Sequence, residues 1–367
     1  MIPVVNDKYK YILLYSAKSG CTSLRMLYLD VHHDELSEAQ RAQLDDYHNL
    51  HEVQPYVDGK DYSEYFTYTI TRNPYLRIVS AYLDQYVYAK NSGMQRMLGE
   101  FPPASGLPDN FIEFLEYLST VPEGHRDEHV QSQSHFGFAG TIVTTKNRRY
   151  KWLGQKPDYA FGVQYYGDIG DFKKHTKRVF KRVFKRDKAK LAEALAHLEN
   201  SVKHNSSFYG EEDYADAALL SVAELGELVF APKPQDFYRN TRARELVQQI
   251  YAQDFKLFGY DPEAVPNRSA SREIAAIPDD LDWQMYRRLN PDLTPDVFYN
   301  ERLVMRHYLE FGRLEKPARP YKLEAPAGFD WQRYLTLHDD LTAAGIATEQ
   351  AAIEHYLSYG IRENREI

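Results

Sequence analysis

The sequence contains one cysteine, Cys21, in 367 residues. It therefore has no internal disulfide framework, and nothing in it requires an oxidising compartment. Long hydrophobic runs are missing too: no stretch approaches the ~20 apolar residues of a transmembrane helix. The apolar run after Lys8 and Lys10 is too short for a secretory signal. The expectation is a soluble, cytoplasmic protein. Positive charge is not in excess. A formal net charge of −8 argues against a general nucleic-acid binder, while leaving room for a local basic face. Tryptophan is scarce at 3 residues but tyrosine is abundant at 30. The flat apolar ring and polar tip of tyrosine suit half-buried helices and hydroxyl-rich ligands alike.

What is present is organised around Tyr11-Ile-Leu-Leu-Tyr-Ser-Ala-Lys-Ser-Gly-Cys-Thr-Ser-Leu-Arg25. Tyr11 to Tyr15 is a short apolar run suited to a strand covered on both faces. Gly20 permits a tight turn, and Thr22 and Ser23 are candidate caps of the helix that follows. A helix N-terminus with hydroxyls and one cation, Lys18, suits a phosphate-like anion. An ordinary strand-to-helix turn with a solvated lysine is the alternative.

A second junction follows. Ser37-Glu-Ala-Gln40 reads as a capping box. Tyr65 to Thr71 then alternates as a strand, with Phe66, Tyr68 and Ile70 on one face. Arg72 comes next, with Asn73 as N-cap and Pro74 at the first helical position. Ile78, Val79, Tyr82, Leu83, Tyr86 and Val87 make an apolar seam that predicts a helix to about residue 88. Ser80 lies on it, eight positions after Arg72. Ligands of open α/β sheets sit beyond the carboxyl ends of strands, so two such junctions suit two phosphate-like groups.

These residues carry a resemblance to carbohydrate sulfotransferases of the heparan sulfate 2-O- and chondroitin types. Ser16 to Ser23 resembles their 5′-phosphosulfate loop, and Thr71 to Tyr82 resembles their 3′-phosphate motif. Further on, Asp127-Glu-His129-Val-Gln131-Ser-Gln133-Ser is similar to an acidic-His-x-x-Gln segment of that family. Residues 157–163 resemble its next strand, and residues 249–260 its closing helix. The likeness spans roughly residues 8–260. Two positions depart from it: Ala17 stands where the loop usually has proline, which should loosen the turn, and Tyr166 stands where a glutamate is common.

The resemblance implies an α/β fold with a P-loop-like three-layer parallel sheet flanked by helices. It also implies transfer of a sulfuryl group from 3′-phosphoadenosine 5′-phosphosulfate (PAPS) to a sugar hydroxyl. Because a sulfuryl group carries less negative charge than a terminal phosphate, a cation and a helix end are expected to suffice without metal. The C-terminal repeats described below lead to the expectation of a bacterial polysaccharide or its precursor as acceptor. Lys18, Ser19, Gly20, Cys21, Thr22 and Ser23 would hold the 5′ side of the nucleotide, and Arg72 and Ser80 its 3′-phosphate. Negative charge grows on the oxygen bridging phosphorus and sulfur as that bond breaks, and Lys18 can stabilise it there. The acceptor hydroxyl needs a base, and histidine is the usual choice near neutral pH. His48, His51 and Glu52 are the candidates, His51 favoured by lying 21 positions before Arg72. His129 and Gln131 are candidate acceptor-binding residues.

The remaining chain is read from its pattern. Residues 173–186 are basic, with Val179, Phe180, Val183 and Phe184 forming one apolar stripe. A solvated face, a rail for an anionic glycan or the nucleotide, and a membrane-surface helix are the readings. The expected division is a transferase domain over 1–260, a linker over 261–279 and two helical repeats over 280–367. Asp282-Trp283-Gln-Met-Tyr286 recurs 48 residues later as Asp330-Trp331-Gln-Arg-Tyr334, and His307-Tyr-Leu-Glu-Phe-Gly312 as His355-Tyr-Leu-Ser-Tyr-Gly360. Each unit reads as two short helices with Gly312 or Gly360 as C-cap, serving glycan or protein contact. His307 and His355 read as packed or capping residues. Two rival functions remain. A P-loop kinase is disfavoured because Lys18 precedes Gly20, whereas that loop has lysine after its second glycine. A glycan-binding scaffold with a retired transferase domain is opposed by intact Lys18, Arg72, Ser80 and an available histidine.

Overall fold

Ile2–Asn6 (β1) and Tyr11–Tyr15 (β2) open the chain as an antiparallel pair. β2 then pairs in parallel with Phe66–Thr71 (β3), and β3 in parallel with Tyr165–Asp168 (β4). The four strands run in the order β1-β2-β3-β4. This computed structural model describes residues 1–44, 48–57, 60–89, 92–136, 140–141, 143–144, 162–201 and 208–367. The sheet is mostly parallel instead of wholly so, because the link from Asn6 to Tyr11 is too short for a crossover and can close only a hairpin. Lys10 helps to close it with a left-handed backbone, φ 52°.

Both faces of β2 are covered, as its unbroken apolar run requires. Tyr11, Leu13 and Tyr15 pack with Leu24, Leu27, Tyr28 and Val31 of helix α1 (Cys21–His32). Ile12 and Leu14 face the other way, against Val5, Val163 and Phe258. The capping box at Ser37 and Gln40 forms as its residues predict. Leu50–Val53 makes a single helical turn, α2. After β3, Asn73 caps Pro74–Ala81 (α3) by accepting from the Tyr75 N–H. The seam from Ile78 to Val87 is buried throughout. The helix does not stay regular, however: it widens to π geometry over Tyr82–Tyr88.

Ser92–Glu100 forms α4 and Phe172–Val183 forms α5. The apolar stripe of α5 is engaged by the sheet, with Val179, Phe180 and Phe184 buried in the α1 core. That packing leaves no apolar face for the membrane-surface reading. The predicted strand over 157–163 lies mostly outside the described residues; Gly162–Val163 is a short strand. The closing helix divides in two, with Ala252–Phe258 (α6) ended by Gly259 in the left-handed conformation. No helix among the described residues is long and apolar enough to cross a membrane.

The chain separates into two compact units. The first comprises residues 1–207, 213–226 and 232–268, and the second comprises 208–212, 227–231 and 269–367. Within the second unit the same arrangement occurs twice. Asp282 caps Trp283–Arg288 and Asp330 caps Trp331–Leu337, each accepting two backbone N–H bonds. Buried Tyr286 bonds His307 Nδ1 at 3.0 Å, and buried Tyr334 bonds His355 Nδ1 at 3.0 Å. The later segment carries an extra short helix, Asp339–Ala343. Gly312 and Gly360 are not left-handed C-caps. They close π-helical turns, where a Cβ would run into the hydroxyl of Tyr286 or lie 2.7 Å from that of Tyr334.

Candidate active site

Parallel pairing of β2 with β3 sets their carboxyl ends side by side, and each end runs into a loop bearing a cation. In the first loop Ser19 N–H donates to Ser16 O at 3.2 Å. Lys18 and Gly20 both adopt left-handed backbone, φ 63° and 78°. That conformation is strained for lysine and natural for glycine. A Cβ at Gly20 would also collide with Ile169. Gly20 is itself the N-cap, so the chain turns directly into α1 at Cys21. Thr22 and Ser23 consequently lie inside the first turn and are not the caps their sequence suggests.

The two loops are tied directly to each other. Arg72 Nη1 donates to the Lys18 carbonyl at 3.1 Å. Fully buried Gln133 grips both loops at once: its Oε1 accepts from Arg72 N–H at 2.8 Å and from Ser19 Oγ at 2.7 Å. Its Nε2 donates back to Arg72 O at 2.8 Å. Asp254 of α6 accepts from the backbone N–H groups of Gln133 and Ser134 at 2.8 and 2.7 Å. Burial raises the Asp254 pKa, against the opposing pull of Arg77 and those N–H bonds.

Arg77 is the third tie. Its buried guanidinium donates to the carbonyls of Ala17 at 2.9 Å, Gln131 at 2.6 Å and Glu128 at 3.3 Å. The turn expected to be loosened by Ala17 is thus held through Ala17's own carbonyl. Removing the guanidinium would orphan three buried or half-buried carbonyls. Ser80 is buried farther along α3. Lys18 forms an ion pair with Asp84, on the π-helical stretch.

The histidine segment reaches the same strand end. Tyr15, the last residue of β2, bonds His51 Nδ1 at 3.2 Å. Arg25 of α1 stacks over the Tyr15 ring at 4.8 Å and donates to the His48 carbonyl at 3.3 Å. Burial pushes the Tyr15 phenol up to about 12, so it stays protonated at neutral pH. Glu52 is mostly exposed, its carboxylate 4.0 Å from His51 Nε2.

Beside the Arg77-bound carbonyls lies a polar cavity of about 450 Å³, lined by Arg96, Glu100, Arg126, Asp127, His129 and Gln131 among others. Asp127 orients His129, accepting from its backbone N–H at 3.0 Å and meeting Nδ1 at 2.7 Å. Burial raises the Asp127 pKa, but the bonds from His129 outweigh it and hold the carboxyl below its ordinary value. Gln131 Nε2 donates to Arg126 O at 2.9 Å.

Sequence reading assigned no role to Arg77, Gln133, Asp254, Tyr15, Arg25 or Asp84. One signal was available for Arg77: a lone cation in the apolar run Leu76-Arg77-Ile78-Val79 must find buried partners. Gln133 and Asp254 carry no such signal, since their partners lie far off in sequence.

A family model described as "Sulfotransferase family" matches residues 3–215. No curated protein and no solved structure matches the chain.

Proposed function

The chain belongs to the sulfotransferase family, and on that premise we propose that it moves a sulfuryl group from PAPS to a hydroxyl of a carbohydrate, in a bacterial polysaccharide or its precursor. The observation that carries this reading is the joining of two cationic strand ends through Arg72, Gln133 and Lys18. A nucleotide with phosphates at both ends of its ribose needs such a pair of anion sites within one cleft.

In this reading the loop from Lys18 to Ser23 takes the 5′ side of the nucleotide and Arg72 with Ser80 takes the 3′-phosphate. Lys18 stabilises the charge that grows on the bridging oxygen as the bond to sulfur breaks. His51 is the base. Its Nδ1 lies 3.2 Å from Tyr15 Oη; the base role requires the tautomer in which Nδ1–H donates to that oxygen and the Nε2 lone pair is left for the acceptor hydroxyl. His48, held through its carbonyl, and exposed Glu52 are the alternates. The cavity at His129 and Gln131 takes the acceptor. A lining of charged and polar side chains, with no large apolar ring, supports a hydroxyl-rich sugar over an aromatic acceptor.

Two experiments test this. 3′,5′-ADP should raise the melting temperature, and ATP with magnesium should do so much less; the reverse order would favour a kinase. A mass-spectrometric screen of candidate glycans should then find one that gains sulfate only when PAPS is present. Binding of glycan and nucleotide without any sulfate transfer would favour the retired-domain reading.

A further inference from the structure

The Lys18 ammonium has a protein partner of its own. Asp84 pairs with it, and Gln85 Nε2 donates to the same carboxylate oxygen. Two local departures from regular backbone meet at this contact. Lys18 sits at φ 63°, and Asp84 lies on the π-helical stretch over Tyr82–Tyr88. Both conformations are less favourable than their regular counterparts, and π-helical segments gather at functional positions. The side chains are 16% and 38% exposed. The pair is therefore shielded enough to be stronger than a surface bridge, yet within reach of a ligand entering from solvent.

We propose that Asp84 is a positioning residue that sets how tightly Lys18 holds the nucleotide. The proposal rests on the assignment of Lys18 to the donor site. The Asp84 carboxylate and the nucleotide's 5′ anion compete for one ammonium, and the two anions repel each other across it. Both effects weaken nucleotide binding. Their benefit falls at the end of the cycle, because 3′,5′-ADP retained on Lys18 would delay the next turnover. Asp84 thus takes up the ammonium as the product leaves.

The test is calorimetry with 3′,5′-ADP on the wild type, Asp84→Asn, Lys18→Ala and the double variant, with stopped-flow dissociation of 3′,5′-ADP from the first two. Asparagine keeps the side chain's size and removes its charge. Asp84→Asn should tighten binding by about fivefold or more, through slower dissociation. The same change in the Lys18→Ala background should have a clearly smaller effect. A purely structural role for Asp84 would weaken binding or act equally in both backgrounds, and either result overturns the proposal. Should Asp84→Asn not fold, Asp84→Ser takes its place; failure of both to fold marks the pair as structural and also overturns it. A wild type that does not bind 3′,5′-ADP removes the Lys18 assignment itself, a result distinguishable from all of these.

Discussion

Tyr11 and Tyr15 stand four residues apart on β2, and each bonds a histidine, yet the two histidines meet different surroundings. At the start of the strand, His32 has both ring nitrogens engaged, Nε2 with Tyr11 Oη at 2.7 Å and Nδ1 with Glu35 at 2.7 Å. Its side chain is 2% exposed. At the end of the strand, His51 has Nδ1 on Tyr15, and its Nε2 is beyond hydrogen-bond distance of Glu52. Its side chain is 35% exposed. A tyrosine–histidine bond is therefore no mark of catalysis by itself. Tyr165 with His175, Tyr286 with His307 and Tyr334 with His355 make the same contact. What distinguishes His51 is its place at the carboxyl end of β2, beside the loop of Lys18, with the ring still accessible.

The sharpest way to break this contrast is to delete each ring. His51→Ala should lower sulfate transfer about a hundredfold or more while leaving 3′,5′-ADP binding unchanged. Retention of full activity would pass the role to His48 or Glu52. His32→Ala should do the opposite. It leaves buried Tyr11 Oη without its partner, takes one of several partners from Glu35 and opens a cavity. It should cost about 3 kcal/mol in denaturant unfolding, with transfer per folded molecule unaltered.

Removing one hydroxyl at a time gives smaller effects. Tyr15→Phe loses the bond that orients His51 and should reduce kcat about tenfold with little change in melting temperature. Tyr11→Phe should cost about 1 kcal/mol of stability and nothing in rate.

Acid should act on the buried end through His32 and Glu35. Burial lowers the His32 pKa despite the raising pull of Glu35, so protonation favours the unfolded chain. The stability that neutral His32 carries is present above its ordinary pKa and declines as pH falls below it. Burial raises the Glu35 pKa, but bonds from His32, Lys8 and Lys190 outweigh this and bring it to about 2. Its contribution is full above the ordinary carboxylate range and is lost as pH falls towards 2. Urea unfolding across this range should show stability dropping in two stages, the first of them smaller in His32→Gln, because burial also lowers the pKa of His135, His175, His307 and His355.

Much of this arrangement was legible in the sequence where the signals are local. The apolar run of β2, Asn73 with Pro74 after β3, and Gly20 in the first loop each dictate backbone within a few residues. The ties between loops were not legible. Ser19 meets Gln133 across 114 positions, and Gln133 meets Asp254 across 121. Only the parallel pairing of the strands creates such meetings, and no periodicity encodes them. Asp84 was hidden for another reason. A regular 3.6-residue helix predicts one set of faces, and the π-helical widening at Tyr82 shifts every residue after it. Residues 208–212 and 227–231 likewise pair with each other through the Tyr209–Ala231 bridge and meet the rest of the second unit where Tyr209 bonds Ser271, contacts that the 48-residue recurrence does not announce.

Gln133 gives the cleft a handedness at the level of single atoms. Its oxygen faces two donors and its nitrogen faces acceptors on Arg72 and Asp254. Turned end for end, the amide would set N–H against N–H and oxygen against oxygen, so the two junctions can mate in one orientation only. A carboxylate of the same shape would lack the nitrogen's hydrogens and would lie beside buried Asp254. One amide thereby acts as a directional key, and deamidation at this position would unlock the cleft without changing its outline.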